Sequence, residues 1–294
     1  YPQTAQKRTM PQTPPKWDTI AIIGVGLIGG SIGMALRRRG LARRVVGVGR
    51  NPSRLAKAKR CGAIDAVATE IARGVADAEL TIVCTPVERI VDHVCETAAH
   101  CPSDTLVTDA GSTKQAIVEA IQAQPNFPAG VRFVGSHPLA GSEKTGCENG
   151  NADLFVDRVC VVTPTRRTRA DDYDAIAGFW EALGMNVLRM TPQAHDVALA
   201  STSHLPHVVA AALASATPEK HLPLVAGGWL DTTRIAAADE HLWRQILLEN
   251  RGNTLQALDA FTAALDALRR AIAEDDGPRV ERLMRKGRQR RESA

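Results

Sequence analysis

Two histidine clusters in this chain could carry chemistry. Ser136-His137-Pro138 lies at the end of a predicted strand. The second cluster begins with His195-Asp196 and continues to His204 and His207, which lie three residues apart in a helical pattern. An imidazole, with an ordinary pKa near ~6.5, suits proton transfer near neutral pH. We therefore consider His137 as a general base; the alternative is a structural, hydrogen-bonded histidine.

A serine and an arginine could assist such a base. Ser112 follows a predicted strand where a helix is expected to begin, so its hydroxyl could orient His137 or could simply cap the helix. Arg234, in the stretch DTTRIA, offers a planar guanidinium for a substrate carboxylate. On residue type alone, Arg244 and Arg251 are alternatives. We expect no metal, because the histidines lack both an H-E-x-x-H spacing and a cysteine partner.

A glycine-rich turn could bind a dinucleotide. An apolar strand pattern ends at Ile23, the G-x-G-x-x-G fingerprint follows, and a helical pattern then continues to Gly40. The three glycines would allow a tight turn, approach of a pyrophosphate and close helix–strand packing, and the helix amides would face the phosphates. The alternative is a turn without a ligand. The predicted cofactor-binding residues are Gly24, Gly26, Leu27, Ile28, Gly29, Arg50, Thr85 and Pro86.

The end of the second predicted strand bears on the choice between NAD and NADP. An acid that binds the ribose 2′-hydroxyl of NAD is usual there, but this chain has Gly49 followed by Arg50. A guanidinium could instead bind the 2′-phosphate of NADP, so NADP is favoured over NAD. Arg50 could alternatively stack on the adenine or lie in solvent.

The order of strands and helices predicts an α/β Rossmann domain, with a doubly wound and mostly parallel sheet, followed by an all-α domain. We expect a disordered arm over residues 1–16, the nucleotide-binding domain over 17–191 and the helical domain over 192–294. The predicted strands are 20–23, 44–48, 63–69, 80–84, 105–109, 131–136, 158–163 and 186–190. The helices expected after residue 191 are 193–216, 224–235, 241–273 and 278–286.

Composition is ordinary for a globular protein. Of 294 residues, 44% are hydrophobic and 23% charged, and the net charge is +4. We see no signal peptide and no apolar run of membrane-spanning length, and interpret the basic stretch 285–291 as a solvated end. Six scattered cysteines favour a reducing compartment. We therefore expect a cytoplasmic protein without nucleic-acid or membrane partners.

Five ordered motifs resemble the prephenate/arogenate dehydrogenase family: GVGLIGGSIG, DAGSTK, GSHPLAGSEKTG, SHLPH and DTTRIA with a later W and LEN. The resemblance runs from Ile20 to about Asn253. It implies a Rossmann domain followed by a helical dimerisation domain, and hence a homodimer. It also implies oxidative decarboxylation in tyrosine biosynthesis, of prephenate to 4-hydroxyphenylpyruvate or of arogenate to tyrosine, with hydride transfer to NAD(P).

The same resemblance implies roles for individual residues. His137 would accept the proton of the ring hydroxyl, and Ser112 would hydrogen-bond both His137 and that hydroxyl. Arg234 would bind a substrate carboxylate and His207 would contact the substrate side chain. The pocket would be lined by His204 and Trp243.

The chain departs from this family at Gly49, where an acid is common, and at Leu139, where methionine is frequent. Two other classes remain possible. A β-hydroxyacid-type dehydrogenase would need a catalytic lysine at the start of the second domain, where residues 193–215 have none. A nucleotide-sensing protein without turnover would not need His137, Ser112 and Arg234 together.

Overall fold

The computed structural model describes residues 16–141 and 144–293. Apart from Lys16, the predicted disordered arm lies outside this part. By their contacts the described residues form two compact units, the first reaching Asp196 and including Ala238–Ile246, the second comprising Val197–Ala237 and the residues from Leu247 onward. The first unit thus ends shortly after the predicted boundary, and its segment Ala238–Ile246 was not expected.

The first unit is built on a six-stranded parallel sheet, which confirms the predicted α/β fold. Its strand order is β3-β2-β1-β4-β5-β6. The order reverses between β1 and β4, the position at which such sheets bind nucleotides beside the carboxyl ends of their strands. The strands are β1 (Trp17–Ile23), β2 (Ala42–Val48), β3 (Ala66–Ala68), β4 (Leu80–Val83), β5 (Leu106–Asp109) and β6 (Arg132–Phe133).

Buried side chains on β1 alternate between two apolar clusters, because successive strand residues face opposite sides of a sheet. Ile20 and Ile22 belong to one cluster, and Ala21 and Ile23 to the other. Helices therefore cover both faces of the sheet, as the doubly wound fold requires. They are α1 (Leu27–Arg39), α2 (Pro52–Arg60), α3 (Ile71–Gly74), α4 (Val87–His100) and α5 (Gln115–Gln122).

The strand predicted over 131–136 is wrong in one respect that matters for the site. It is two strands, because the chain leaves β6 and enters a second sheet as β7 (Gly135–Pro138). His137 therefore lies within a strand and not just beyond one. In this second sheet, β7 pairs antiparallel with β8 (Val159–Thr163), and β8 pairs parallel with β9 (Asn186–Arg189). Helix α6 (Ala170–Ala182) connects β8 to β9.

Beyond β9 the described chain is helical, as predicted, but with different bounds. A wide π turn, Ala200–His204, separates α7 from α8, and Pro206 is the second residue of α8. A proline ring cannot donate to the preceding turn and crowds it, so irregular hydrogen bonding here is expected. Asn250 divides the helix predicted over 241–273. The helices are α7 (Pro192–Leu199), α8 (Leu205–Ala216), α9 (Gly227–Thr233), α10 (Glu240–Glu249), α11 (Arg251–Ala273) and α12 (Gly277–Glu292).

One helical run among the described residues, Pro192–Ala216, is long and apolar enough to cross a membrane, by length and composition alone. The expectation that no apolar run reaches membrane-spanning length is therefore wrong for these residues. The run also contains Asp196 and three histidines, His195, His204 and His207. Ionisable residues of this kind are costly in the interior of a bilayer.

Candidate active site

The turn between β1 and α1 has a shape that requires glycine. Gly24 has φ +91°, and a Cβ there would lie 2.8 Å from the carbonyl oxygen of Cys84 and 2.9 Å from Cγ2 of Thr85. A Cβ on Gly29 would overlap the carbonyl oxygen of Gly24, so only glycine lets α1 pack this closely on the strand end. The first and third glycines of the fingerprint thus have the roles predicted from their spacing.

Gly26 leaves open space at the start of α1. Apart from Gly26, its chain neighbours and the adjoining helix backbone, no atom of the described residues lies within 4 Å of the position that a Cβ on Gly26 would occupy, and the first turn of α1 contains no acidic residue. A helix N-terminus attracts anions, because its amides point outward and carry partial positive charge. The turn therefore fits the pyrophosphate of a dinucleotide.

Basic side chains surround the neighbouring strand ends. Nδ1 of His93, on α4, lies 2.9 Å from Oγ1 of Thr85, at the end of β4. Burial lowers the pKa of His93, and the positive charges of Arg89 and Arg50 lower it further, against the opposing effect of nearby carboxylates on α4. Arg50 follows the end of β2 and is exposed. This edge of the sheet can therefore hold an anionic group in addition to the pyrophosphate.

His137 is part of a buried hydrogen-bond chain. Its Nδ1 lies 2.8 Å from Nε2 of His195, and Nδ1 of His195 lies 2.7 Å from Oδ1 of Asp196. His195 is fully buried and Asp196 almost so. Burial lowers the pKa of His195; its hydrogen bond to Asp196 opposes this shift and the charge of Lys114 adds to it.

Asp196 also fixes the start of α5. Its Oδ1 accepts the backbone N–H of Lys114 at 2.8 Å, and its Oδ2 accepts that of Gln115 at 2.9 Å. Burial alone would raise the pKa of Asp196, but hydrogen bonds from His195 and these two amides lower it overall. An ionised carboxylate therefore ties α7 to the first turn of α5 and presents His195 to His137.

A buried ion pair, between Lys114 and Asp109, lies beside this hydrogen-bond chain. Nζ of Lys114 contacts Oδ2 of Asp109, and both side chains are fully buried. Asp109 also accepts the backbone N–H groups of Gly111, at 2.9 Å, and Ser136, at 3.1 Å. These bonds join the end of β5 to β7, so they fix the strand that carries His137. A buried carboxylate with this many donors is well compensated.

The structure corrects the predicted setting of Ser112. Helix α5 begins at Gln115, so Ser112 lies in the preceding loop, half-buried, and the helix amides bond Asp196 instead. Among the described residues, no hydrogen bond joins Ser112 to His137, and Nδ1 of His137 is paired with Nε2 of His195. The contact of Ser112 with a substrate hydroxyl stays a prediction.

The predicted substrate-binding residues of the helical unit include one neighbouring pair, His207 and Arg234. Burial lowers the pKa of His207, a hydrogen bond to the backbone of Ile235 opposes this, and the charge of Arg234 lowers it further. Arg234 is exposed. The structure therefore brings a neutral imidazole and a guanidinium together, a combination that can bind a carboxylate and a neighbouring polar group.

His204 and Trp243 are held in different ways. His204 ends the π turn and is buried, with Nδ1 3.2 Å from Nδ2 of Asn250. Because that amide nitrogen is a donor, Nδ1 of His204 accepts and Nε2 carries the proton. Trp243, on α10, belongs to the first unit and packs half-buried against the apolar cluster that includes Ile246.

Sequence reasoning noted His195 and Asp196 but gave them no role. A local signal exists, since a histidine next to an acid can form a hydrogen-bonded pair. Their partner His137 is 58 residues away in the chain, however, and no local spacing indicates it. Among the described residues, no group of three histidine, cysteine or acidic side chains could hold a metal ion.

The chain is similar to known proteins over most of its length. Residues 32–189 match the family model for the prephenate dehydrogenase nucleotide-binding domain, and residues 191–286 match that for the prephenate dehydrogenase dimerization domain. Prephenate dehydrogenase from Bacillus subtilis is 34% identical over 276 residues, which are 91% of this chain and 74% of that protein. The chain belongs to the prephenate dehydrogenase family.

Other members of the prephenate dehydrogenase family extend the match. Cyclohexadienyl dehydrogenase from Zymomonas mobilis is 36% identical over 265 residues, covering 88% of this chain and 89% of the relative. A crystal structure of prephenate dehydrogenase from A. aeolicus, in complex with hydroxyphenyl propionate and NAD+, superposes with a TM-score of 0.85 at 33% identity, covering 94% and 98% of the two chains. The family and fold expected from the motifs are thus confirmed, and the chain is an oxidoreductase with a nucleotide-binding domain and a dimerization domain.

Proposed function

We propose that this protein catalyses the oxidative decarboxylation of prephenate or arogenate, in tyrosine biosynthesis, with hydride transfer to a nicotinamide cofactor. The observation that carries the proposal is the hydrogen bond between half-buried His137 and buried His195, in a unit that also contains the glycine turn. It supports a base held in one orientation next to a nucleotide-binding edge. Relatives named prephenate and cyclohexadienyl dehydrogenase support the same activity.

His137 acts first, by accepting the proton of the C4 hydroxyl of the cyclohexadiene ring. The cofactor, when bound, supplies the acceptor for the hydride that leaves C4. The forming C4 carbonyl then draws electrons from the bond between C1 and its carboxylate, and CO2 leaves. The ring becomes aromatic, and the protonated His137 can return its proton to the phenolate oxygen. The sum is one hydride transferred, one CO2 released and one phenol formed.

Five residues would hold the substrate. Arg234 binds a carboxylate, because its planar guanidinium can donate two parallel hydrogen bonds. The neighbouring neutral His207 contacts the keto or amino side chain, while His204 and Trp243 line the pocket. Ser112 donates to, or accepts from, the C4 hydroxyl.

We propose NADP as the preferred cofactor. Gly49 provides no carboxylate for a ribose 2′-hydroxyl, and Arg50 follows it at the end of β2. Arg50 is exposed, so its guanidinium can reach a phosphate at this edge. A 2′-phosphate is favoured by positive charge and a plain hydroxyl is not. The remaining cofactor contacts are proposed at Leu27, Ile28, Thr85 and Pro86.

We also propose that the protein is a cytoplasmic homodimer that associates through its helical domain, with the domain boundary at 191/192. The match to a dimerization domain supports the association of two copies, as do large apolar side chains exposed in the helical unit. Burial of these side chains against a second copy of the chain would stabilise a dimer, because it would remove apolar surface from water. Those exposed include Leu213, Leu222, Leu224, Leu230, Leu248, Leu255, Leu265, Ile272 and Met284.

Steady-state assays test the activity. Purified protein is mixed with prephenate or arogenate, each with NAD or NADP, and reduced nicotinamide is followed by absorbance. We expect turnover with at least one of the two substrates and a higher kcat/KM with NADP. The absence of turnover in all four pairs would contradict the proposal and favour a nucleotide-sensing protein. Turnover of a β-hydroxyacid alone would favour the other dehydrogenase class.

A further inference from the structure

The hydrogen-bond chain from Asp196 to His137 determines where each proton sits. Asp196 accepts backbone N–H groups of Lys114 and Gln115, and an ionised carboxylate can only accept. His195 must therefore donate to Asp196 through Nδ1–H, 2.7 Å away.

A neutral His195 then has only one way to bond His137. With its proton on Nδ1, its Nε2 carries a lone pair and accepts a hydrogen bond. The atom 2.8 Å from that lone pair is Nδ1 of His137, which must be the donor. His195 is kept neutral by full burial and by the nearby ammonium of Lys114, itself paired with Asp109. The backbone amides at the start of α5 therefore determine which atom donates and which accepts in each hydrogen bond from Asp196 to His137.

We propose that His195 is a positioning residue, which holds neutral His137 in the Nδ1–H tautomer and so makes Nε2 of His137 the proton-accepting atom. This inference rests on the proposed role of His137 as the base. In the other tautomer, Nε2 would carry a proton and could not accept one from the substrate hydroxyl. The arrangement resembles the way an aspartate orients the histidine of a serine-protease triad, with an imidazole interposed between carboxylate and base.

The hydrogen bond also supports the charged state of His137. When Nε2 accepts a proton, the Nδ1–H of the imidazolium becomes a stronger donor to His195. His195 remains in place because Asp196 and its two backbone donors fix the other ring nitrogen. Because His195 is already in place as an acceptor, it favours the protonated state of His137, and no group has to move when the proton is transferred.

Two variants of equal length separate this role from simple packing. In His195→Gln, the side-chain oxygen can still accept from His137; in His195→Met, no comparable acceptor remains. We expect kcat of His195→Met to be about tenfold to a hundredfold below that of His195→Gln, as for a lost hydrogen bond to a charged group, with KM values for substrate and cofactor within about threefold. Equal kcat in the two folded variants, checked by circular dichroism, would overturn the proposal.

A second readout needs no turnover. Nitrogen-15 NMR of histidine-labelled protein distinguishes the two neutral tautomers, and the signals of His137 are assigned by their loss in His137→Gln. We expect Nδ1–H at His137 in the wild type and in His195→Gln, and a mixture or Nε2–H in His195→Met. Nε2–H in the wild type would overturn the proposal. Should His137→Gln keep full activity, the base assignment would fail, whereas the tautomer result would still decide the role of His195 in positioning the ring.

Discussion

Nδ1 of His195 lies 2.7 Å from Oδ1 of Asp196, and both side chains are buried within the first unit. The carboxylate also receives two backbone amides, so it is the fixed end of the chain that reaches His137. The contact orients the imidazole of His195. Because folding lowers the pKa values of both His195 and Asp196, it also makes the free energy of unfolding depend on pH.

We predict that acid destabilises the fold partly through His195. Its folded pKa lies below the ordinary value of 6.5, so below that pH the unfolded chain binds a proton that the folded protein does not. The free energy of unfolding should fall on acidification from about pH 7 to 5, by at most about 1.4 kcal/mol per pH unit from this residue. Asp196, with a lowered pKa, contributes stability that is lost only at still lower pH, below about 4.

Urea unfolding at several pH values measures this dependence. His195→Gln should have a flatter pH profile than the wild type between about pH 7 and 5, because the variant has no titrating group at this position. His93 and His207, whose pKa values are also lowered, remain in both proteins and contribute equally. Parallel profiles would show that His195 is not the group responsible.

Removal of the guanidinium near His207 should weaken substrate binding. We predict that Arg234→Gln raises KM for prephenate or arogenate by about tenfold to a hundredfold, with a smaller change in kcat, because a charged hydrogen bond to a carboxylate is lost. Arg282→Gln, a change of the same chemistry on an exposed residue of the same unit, is the matched control. An equal KM in the two variants would contradict the assigned role.

Cofactor preference should respond to a carboxylate at the end of β2. A Cβ on Gly49 would lie 3.5 Å from Leu55 Cδ2, an ordinary contact, so a side chain fits there. We predict that Gly49→Asp shifts the ratio of kcat/KM from NADP towards NAD, since the acid binds a 2′-hydroxyl and repels a 2′-phosphate. Arg50→Ala should shift the ratio in the same direction, and Arg54→Ala, a neighbouring exposed arginine, should not. An unchanged ratio in Gly49→Asp and Arg50→Ala would exclude this edge as the determinant.

The fold was predictable to the extent that it depends on local patterns. Short apolar runs such as Ile20–Ile23 indicate buried strands, and the glycine spacing indicates the turn that follows. The break at Val134 was not predicted, because Val131, Phe133 and Val134 continue one strand-like pattern and only the partner strands decide that β6 and β7 join different sheets. Nor did any local spacing place Ala238–Ile246 in the first unit, since Ile246 is held by apolar contacts distant in sequence.

Motifs in the sequence named candidate site residues one by one, but they did not indicate the hydrogen-bond network around His137. His137, Ser112 and Arg234 were identified from motifs, which record residue types. The partner of His137 was expected to be Ser112 and is His195 instead, because the packing of α7 against α5 brings two distant segments together. Such contacts form only when the chain folds. The carboxylate that anchors them, that of Asp196, bonds the first amides of α5, which comes much earlier in the sequence.

The most direct test of the account is the turnover of His137→Gln, measured as the rise of reduced nicotinamide with the better substrate, alongside cofactor affinity by fluorescence. Loss of a general base should lower kcat by about 10²–10⁴-fold. Cofactor affinity should change by less than about twofold, because the glycine turn and Arg50 are untouched. A variant that keeps kcat within about tenfold of the wild type, or that loses cofactor binding in proportion to activity, would contradict the assignment of His137 as the base.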